Sequence, residues 1–238
     1  MEGMIFAAGL GTRLRPLTND RPKALVELNG KSLLLRCIER MVSAGIRRIV
    51  INIHHFAELM RTEIAKIDIP GVELVVSDES DLLLDTGGGL KKAAELFSEG
   101  EPVLIHNVDI YSELNLEKLI TDYQTAPKHA LMVIRKCVGG RVLKFGEDLV
   151  LKGWMNTNTG EEKVAREDFY SADTYSFCGI HIVSPEFIKM ISGVGVFSII
   201  DEYISQAKQY DVCGYYYEGE FIDLGTPEAI ASAESVVL

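Results

Sequence analysis

The sequence predicts an α/β fold: a three-layer, mostly parallel mixed sheet with helices on both faces. Two observations carry that expectation. Through residues 1–128, short apolar runs of strand length alternate with segments whose apolar residues recur at helical spacing. That alternation is the pattern of βαβ repetition, which builds parallel sheets covered on both sides. After about residue 129 the runs become shorter and closer together, so the second half is expected to be richer in strands.

Taken in order, residues 4–8 read as a buried strand that runs straight into a glycine-rich loop. Residues 32–44 place Leu34, Leu35, Ile38, Met41 and Val42 on one helical face, and Gly45 is the expected stop. A strand at 49–53, a helix at about 56–66, a strand at 72–76, a helix at 87–97, a strand at 103–106 and a helix at 116–123 complete the first half. The second half offers strands at 131–134, 142–145, 149–154 and 174–183. Ser184-Pro185-Glu186 reads as an N-cap followed by proline at the first helical position. A further helix near 199–208, a strand at 212–217 and a last helix opened by Thr226-Pro227-Glu228 follow. Residues 156–173 are polar and are expected to form an exposed excursion. With no repeat and no low-complexity linker, a single domain over 1–238 is expected.

Composition bounds the function. Apolar residues make up 47% of the 238, enough for a substantial core. No apolar run approaches about 18 residues, so no transmembrane helix is expected. The start, Met1 to Gly9, has neither a basic segment nor a cleavage site, and does not read as a signal peptide. Cys37, Cys137, Cys178 and Cys213 are far apart and form no C-x-x-C pair, which argues against a zinc site or a disulfide framework. Buried free thiols in a reducing, cytoplasmic setting are the expectation. The net charge of −11 disfavours nucleic-acid binding, and no membrane partner is expected. It would also repel a free triphosphate, so any phosphate site here needs local cations.

Such cations follow the first strand. Ala7-Ala8-Gly9-Leu10-Gly11-Thr12-Arg13-Leu14-Arg15-Pro16-Leu17-Thr18 puts two glycines where backbone N–H groups can turn toward a phosphate. Gly9 and Gly11 match the first two positions of a dinucleotide fingerprint, but the third falls on Leu14, which disfavours a redox site. Gly30-Lys31-Ser32 looks like the end of a P-loop whose first glycine would be Leu25, and it is set aside. Arg13 and Arg15 lie within the loop, and Arg21-Pro22-Lys23 just beyond it. Arginine suits bidentate phosphate contact and lysine supplies a point charge. A solvated basic loop is the plain alternative.

The string from Gly9 to Thr18, continued by Arg21-Pro22-Lys23-Ala24-Leu25, resembles the signature of the sugar-1-phosphate nucleotidyltransferases, or NDP-sugar pyrophosphorylases. Further segments match in the same order: Thr86-Gly87-Gly88-Gly89, His106-Asn107-Val108-Asp109, Phe177-Cys178-Gly179-Ile180 and Phe221-Ile222-Asp223-Leu224-Gly225-Thr226-Pro227. The resemblance spans nearly the whole chain and is strongest to short N-acetylmuramate-1-phosphate uridylyltransferases. It implies the Rossmann-like nucleotide-diphospho-sugar transferase fold, with 1–128 a nucleotide-binding half and 129–238 a sugar-binding half. It implies nucleotide contacts from Ala8, Gly9, Gly11, Thr12 and Gly88, and sugar contacts from Asn107 and Gly179. Arg13 would hold the leaving phosphates and Lys23 the α-phosphate, with Mg2+ held by Asp109 and Asp223. The substrates implied are a nucleoside triphosphate, UTP in preference, and an N-acetylated or otherwise modified sugar 1-phosphate.

The residues bear on each of these roles. Asp109 ends an apolar strand and Asp223 follows Phe221 and Ile222, so two carboxylates at strand ends can share one hard cation. A capping role for Asp109 and a turn-supporting role for Asp223 are the alternatives. Three consecutive glycines at 87–89 weaken a helix by roughly 1 kcal/mol each in its interior. Close approach of a flat base would account for them, with Thr86 a possible N-cap. Base choice is expected around Asp78, Glu79 and Gly88. His54 and His55 are adjacent on a strand and face opposite sides, so they are given no metal role. Trp154 is expected to cover the core. Many relatives carry a Glu-Lys pair near the sugar, and the stretch from Lys152 to Asn158 lacks it, so sugar identity does not carry over. No segment follows the helix opened at Thr226, so no acyltransferase or β-helix domain is expected. Competing readings are a mannose- or heptose-1-phosphate guanylyltransferase, a glycosyltransferase of the same general fold, and a non-catalytic nucleotide-sugar sensor.

Overall fold

In the computed structural model, which describes residues 1–137 and 139–236, the alternation of apolar side chains along each strand decides which core it feeds. Val138, Val237 and Leu238, within the expected 129–238 half, lie outside the described residues. The strands are β1 (Glu2–Phe6), β2 (Glu27–Leu28), β3 (Lys31–Ser32), β4 (Arg48–Ile53), β5 (Glu73–Asp78), β6 (Val103–Asn107) and β7 (Ile110–Ser112) in the first half. They continue as β8 (Ala130–Lys136), β9 (Arg141–Phe145), β10 (Leu151–Asn156), β11 (Glu161–Val164), β12 (Asp173–Val183), β13 (Val212–Tyr216) and β14 (Phe221–Asp223). The helices are α1 (Leu33–Ser43), α2 (Ala57–Ala65), α3 (Asp85–Ala93), α4 (Leu116–Thr125), α5 (Pro185–Lys189), α6 (Ile199–Ala207) and α7 (Pro227–Ala233).

Ten strands form one mixed sheet, with the order β11-β10-β9-β12-β6-β1-β4-β5 and with β8 and β13 joined to it through β12. Pairing is parallel from β5 through β4 and β1 to β6, and again between β13 and β8. It is antiparallel where β12 meets β6, β8 and β9, and outward to β11. The expected mixed α/β sheet with helices on both faces is therefore present, with its parallel strands concentrated in the first half. The β2–β3 hairpin, the long-range β7–β14 pair and the edge strand β11 were not foreseen from the sequence.

Side chains of one face, such as Ile5, Ile49, Ile51, Leu104, Val133 and Ile180, pack against α1, α2, α4 and α7. Their neighbours on the other face, Met4, Val50, Ile105, Met132 and Val183, pack against α3, α5 and α6. A period of two along each strand thus yields two apolar cores. Helix starts are fixed by side chains. Ser184 and Thr226 accept from the N–H of Phe187 (3.0 Å) and Ala229 (3.2 Å), as the sequence predicts. Ser32 and Asn115 cap α1 and α4 in the same way. Each such cap contributes about 1 kcal/mol. Gly45 ends α1 at φ 91°, with Ile46 N–H donating back to the Met41 carbonyl at 3.1 Å.

Two expectations are corrected. Cys37, Cys178 and Cys213 are buried, and burial pushes the first two thiols up to about 12, but Cys137 is exposed. The 156–173 segment is largely exposed, as expected, but it is not wholly an exposed excursion. It holds β11 and a 3-10 turn, Glu167–Ser171, that inserts Phe169 into the core against Gly153. Lys152 is buried and committed to Asp168 at 2.8 Å and Asp148 at 3.4 Å. Trp154 lies half-buried over the second core, with the Lys163 ammonium 5.2 Å from its ring centre.

Candidate active site

Parallel pairing aligns the carboxyl ends of β1, β4, β5 and β6 along one edge of the sheet, where open α/β sheets take their ligands. The segments there line a cleft of about 390 Å3. Ala7, Ala8 and Gly9 leave β1, Asn52 sits near the end of β4, Glu79 follows β5, and Asn107, Val108 and Asp109 close β6. Lys23 enters from the loop, Leu83, Asp85 and Thr86 from the start of α3, and Val196 from the chain before α6.

The glycine loop is organised to present donors. Gly11 has φ 64°, and the Thr18 hydroxyl donates to its carbonyl at 2.8 Å. Among the described residues, the N–H groups of Gly9, Leu10, Gly11 and Thr12 donate to no protein acceptor. Such a row of uncommitted donors is an anion-binding surface. Two carboxylate–cation pairs stand beside it. Lys23 Nζ donates to the Asp109 carboxylate, and both side chains are mostly covered. Arg13 reaches the Asp223 carboxylate at 3.7 Å, and this pair is exposed. A Cβ on Gly225 would lie 2.5 Å from the Arg13 guanidinium and 2.6 Å from the Asp223 carboxylate, so only glycine leaves room for both. Arg21 instead turns to Asp20 on the surface.

Asp109 does not end its strand, as the sequence suggests. β6 stops at Asn107, and Asp109 lies in the tight turn into β7. Its backbone carbonyl accepts from Leu224 N–H at 2.8 Å, and β7 pairs with β14 so that Ile110 faces Asp223. This strand pair therefore brings the two carboxylate-bearing positions together across 114 residues of sequence (223 − 109). Neither aspartate caps a helix. Two carboxylates, with no group of three or more potential ligands among the described residues, fit an ion that completes its shell with substrate phosphates and water. Magnesium binds in that way, and the oxygen donors fit it.

Behind the cleft, His106 Nδ1–H donates to the Asn107 carbonyl at 2.7 Å, and its Nε2 lies 3.3 Å from the Arg40 guanidinium. Burial, and then the nearby Arg40 charge, push His106 down to about 3, so the ring is neutral and accepts from Arg40. Gly179 sits at φ 68° where β12 shifts register, and a Cβ there would be 2.7 Å from the Asn107 amide. The bulge lets β12 lie against Asn107.

The 87–89 glycines have a different cause from the one expected. A Cβ on Gly87 would strike the Phe197 ring at 2.4 Å, and one on Gly88 the Gly195 carbonyl at 2.4 Å. The Gly87 and Gly88 N–H groups both donate to the Phe197 carbonyl, at 2.9 and 3.3 Å. The chain before α6 thus straps the start of α3, and Gly88 does not line the cleft. Nor is Thr86 the N-cap. α3 begins at Asp85, and the Thr86 hydroxyl accepts from Ile199 N–H at 3.0 Å. Of the residues singled out in the sequence, Ala8, Gly9, Lys23, Glu79, Thr86, Asn107 and Asp109 line the cleft. Gly11, Thr12 and Arg13 continue its loop, Arg13 meets Asp223, and Gly179 backs Asn107. Asn52 was missed, because an asparagine inside an apolar strand carries no motif. Val196 was missed because it precedes a helix in the other half.

The nucleotidyl transferase family model matches residues 2–146. The chain is 32% identical to the N-acetylmuramate alpha-1-phosphate uridylyltransferase of Caulobacter vibrioides, over 98% of this chain and 95% of that protein. It is 31% identical to the catalytic subunit beta of mannose-1-phosphate guanylyltransferase from Drosophila pseudoobscura pseudoobscura, over 95% of this chain but only 60% of that protein. Its fold superposes on HddC from Yersinia pseudotuberculosis, solved as a complex with GMP-PN, with a TM-score of 0.78 and 22% identity over 100% of this chain and 99% of that one. With a family model matched over more than half its length and a relative alike from end to end, the chain belongs to the nucleotidyl transferase family, among the sugar-1-phosphate nucleotidyltransferases.

Proposed function

We propose that this chain transfers a nucleotidyl group from UTP to an N-acetylated or otherwise modified hexose 1-phosphate, releasing pyrophosphate, in the cytoplasm. The carrying observation is the row of uncommitted N–H groups flanked by the Lys23–Asp109 and Arg13–Asp223 pairs at one cleft. In this reading residues 1–128 hold the nucleotide and 129–238 shape the acceptor side, with Val196 crossing over to the nucleotide cleft. The backbone N–H groups of Gly9, Gly11 and Thr12 receive the nucleotide phosphates, and Ala8, whose own N–H donates to Asn52 Oδ1, lines the nucleotide cleft beside them. Arg13, with its planar fork, holds the two phosphates that depart. Lys23 shares its charge between Asp109 and the α-phosphate. Asn107, backed by Gly179, orients the acceptor sugar. Asp109 and Asp223 would hold Mg2+, which when bound neutralises phosphate charge.

An oxygen of the acceptor phosphate forms a bond to the α-phosphorus, and the bond from that phosphorus to its bridging oxygen breaks. Pyrophosphate leaves with the electron pair. A phosphate monoester has its second pKa near ~6, so it is already anionic at neutral pH and needs no general base. Catalysis then rests on alignment and on preorganised positive charge.

The UTP preference draws on the end-to-end likeness to a uridylyltransferase. A GTP preference is the second reading, favoured by the likeness to a guanylyltransferase subunit along 95% of this chain. The test is kcat/KM for UTP, GTP, CTP and dTTP with the best acceptor from a panel of sugar 1-phosphates. A polar site built for one base rejects others sharply. A preference of tenfold or more for UTP is expected, and a clear preference for GTP with a mannose or heptose acceptor would replace the uridylyl reading.

A further inference from the structure

Glu79 and Asn52 form a buried pair that the transfer chemistry leaves without a role. Both sit at the cleft, yet Glu79 is 0% and Asn52 3% exposed. Their hydrogen bonds have only one consistent direction. Asn52 Oδ1 faces the N–H groups of Ala7 at 2.7 Å and Ala8 at 3.3 Å. A backbone N–H can only donate, so the amide oxygen must be the atom turned toward them. Asn52 Nδ2 is then left to donate to Glu79 Oε1, at 2.8 Å. Glu79 Oε2 faces Leu84 N–H at 3.1 Å, and again it must accept. Both oxygens of Glu79 therefore accept, which a carboxylate can do and a glutamine amide cannot.

The pair spans the cleft. At one end lie Ala7 and Ala8, immediately before the uncommitted N–H groups of Gly9 to Thr12. At the other lies Leu84, whose neighbours Leu83 and Asp85 form the opposite wall. His54 Nδ1–H donates to the Glu79 carbonyl at 2.6 Å and holds that backbone in place. A Cβ on Gly89 would lie 2.8 Å from Glu79 Oε1 and 3.0 Å from Asn52 Nδ2, so the third glycine of α3 is what lets the helix close over the pair. Burial pushes the Glu79 carboxyl above the usual carboxylate range. The Asn52 amide and the Leu84 N–H, both donating to it, pull in the other direction without cancelling that burial.

We propose that Glu79 and Asn52 are positioning residues for nucleotide binding, setting the distance between the phosphate loop and the α3 wall so that one nucleoside triphosphate meets both. This rests on the reading of the cleft as the nucleotide site. A reciprocal exchange tests it. Glu79→Gln puts an amide N–H against either the Asn52 donor or Leu84 N–H. Asn52→Asp sets two acceptors face to face. The double variant restores every donor–acceptor match. The carboxylate introduced at position 52 accepts from the two alanines and from the introduced glutamine amide, whose own oxygen accepts from Leu84. It also keeps the net charge.

Calorimetric binding of MgUTP and MgGTP to the intact wild-type and variant chains needs no sugar and no turnover. Each single variant is expected to lose roughly tenfold or more in affinity, the scale of one buried hydrogen bond mismatched. The double variant is expected to return to within about threefold of wild type, a coupling that independent sites do not show. Melting temperatures are measured alongside, because a merely structural pair would lower them and leave the affinity of the folded chain unchanged. Single variants that bind like wild type, or a double variant no tighter than the weaker single, would overturn the proposal. If a single variant fails to fold, the double variant decides by the same threefold criterion. A wild-type chain that binds neither nucleotide would overturn the nucleotide reading, and this inference with it.

Discussion

Asp223 and Arg13 are 49% and 64% exposed, so their pair adds little to folding; exposed pairs contribute about 0–1 kcal/mol. Asp223→Asn is therefore expected to leave the melting temperature within a few degrees while removing turnover. Near wild-type activity with Mg2+ would exclude Asp223 from the metal site. Gly225→Ala is a subtler probe of the same place. The new methyl meets the end of the flexible Arg13 side chain, which can swing away at small cost to the fold. The expected result is a folded enzyme with a raised KM for nucleoside triphosphate and an unchanged KM for the sugar phosphate. Lys23 differs, because it and Asp109 are only 13% and 17% exposed. Lys23→Ala leaves a largely covered carboxylate unpaired, which costs about 3 kcal/mol, the low end for a buried pair, so both stability and activity should fall. Denaturant titration beside steady-state kinetics separates these cases.

The glycines of the loop and of α3 look alike in the sequence, but the structure gives them opposite consequences. A Cβ on Gly9 meets nothing within 4 Å, so Gly9→Ala should fold with unchanged stability and weaken nucleotide binding by intruding on the cleft. A Cβ on Gly88 meets the Gly195 backbone at 2.4 Å, which neither side can vacate without parting α3 from its strap. Gly88→Ala should lose about 1–3 kcal/mol, the scale of core overpacking, read as a shift of the urea midpoint at constant slope. Equal stabilities for the two variants would contradict that assignment. The same contrast shows what the sequence could reveal. Ser184 and Thr226 declared their caps because capping is local, within three residues. Thr86 looked like a cap but bonds Ile199, 113 residues away, and no local rule reports such a contact. The β7–β14 pair was hidden for the same reason: three-residue strands lack a periodicity, and only pairing across the chain defines them. The loop cations and the two aspartates were legible because they sit in one dense motif. Glu79 was named beside the base, but its pairing with Asn52 was not, because that depends on which strand ends stand side by side.

At the scale of the whole chain, the two cores are separated by a sheet that buries His106 and His181. Burial pushes both histidines down to about 3, assisted at His106 by Arg40 and at His181 by His106. An unfolded chain takes up those protons near pH 6.5. Between about 3 and 6.5 it therefore binds more protons than the folded chain, and stability, complete above 6.5, falls as pH drops. Each histidine contributes up to about 1.4 kcal/mol per pH unit in that window. Glu79 acts with the opposite sign, since its raised pKa favours the folded, protonated form in acid and that contribution fades as pH rises. Two histidines outweigh one carboxyl. Urea midpoints in dilute solution at pH 7.5, 6.5 and 5.5 should decline in that order, and a flat or rising series would contradict the burial of neutral histidines.

Nucleotidyl transfer is tested most directly by phosphorus NMR of one reaction mixture. UTP or GTP, Mg2+ and the best sugar 1-phosphate should give pyrophosphate and the paired resonances of a sugar diphosphate diester in equal amounts. No product should form when the sugar lacks its 1-phosphate, or with the Asp223→Asn chain. Inorganic phosphate with a nucleoside diphosphate, or consumption of an added NDP-sugar without any pyrophosphate requirement, would instead show a hydrolase or a glycosyltransferase and contradict the assignment.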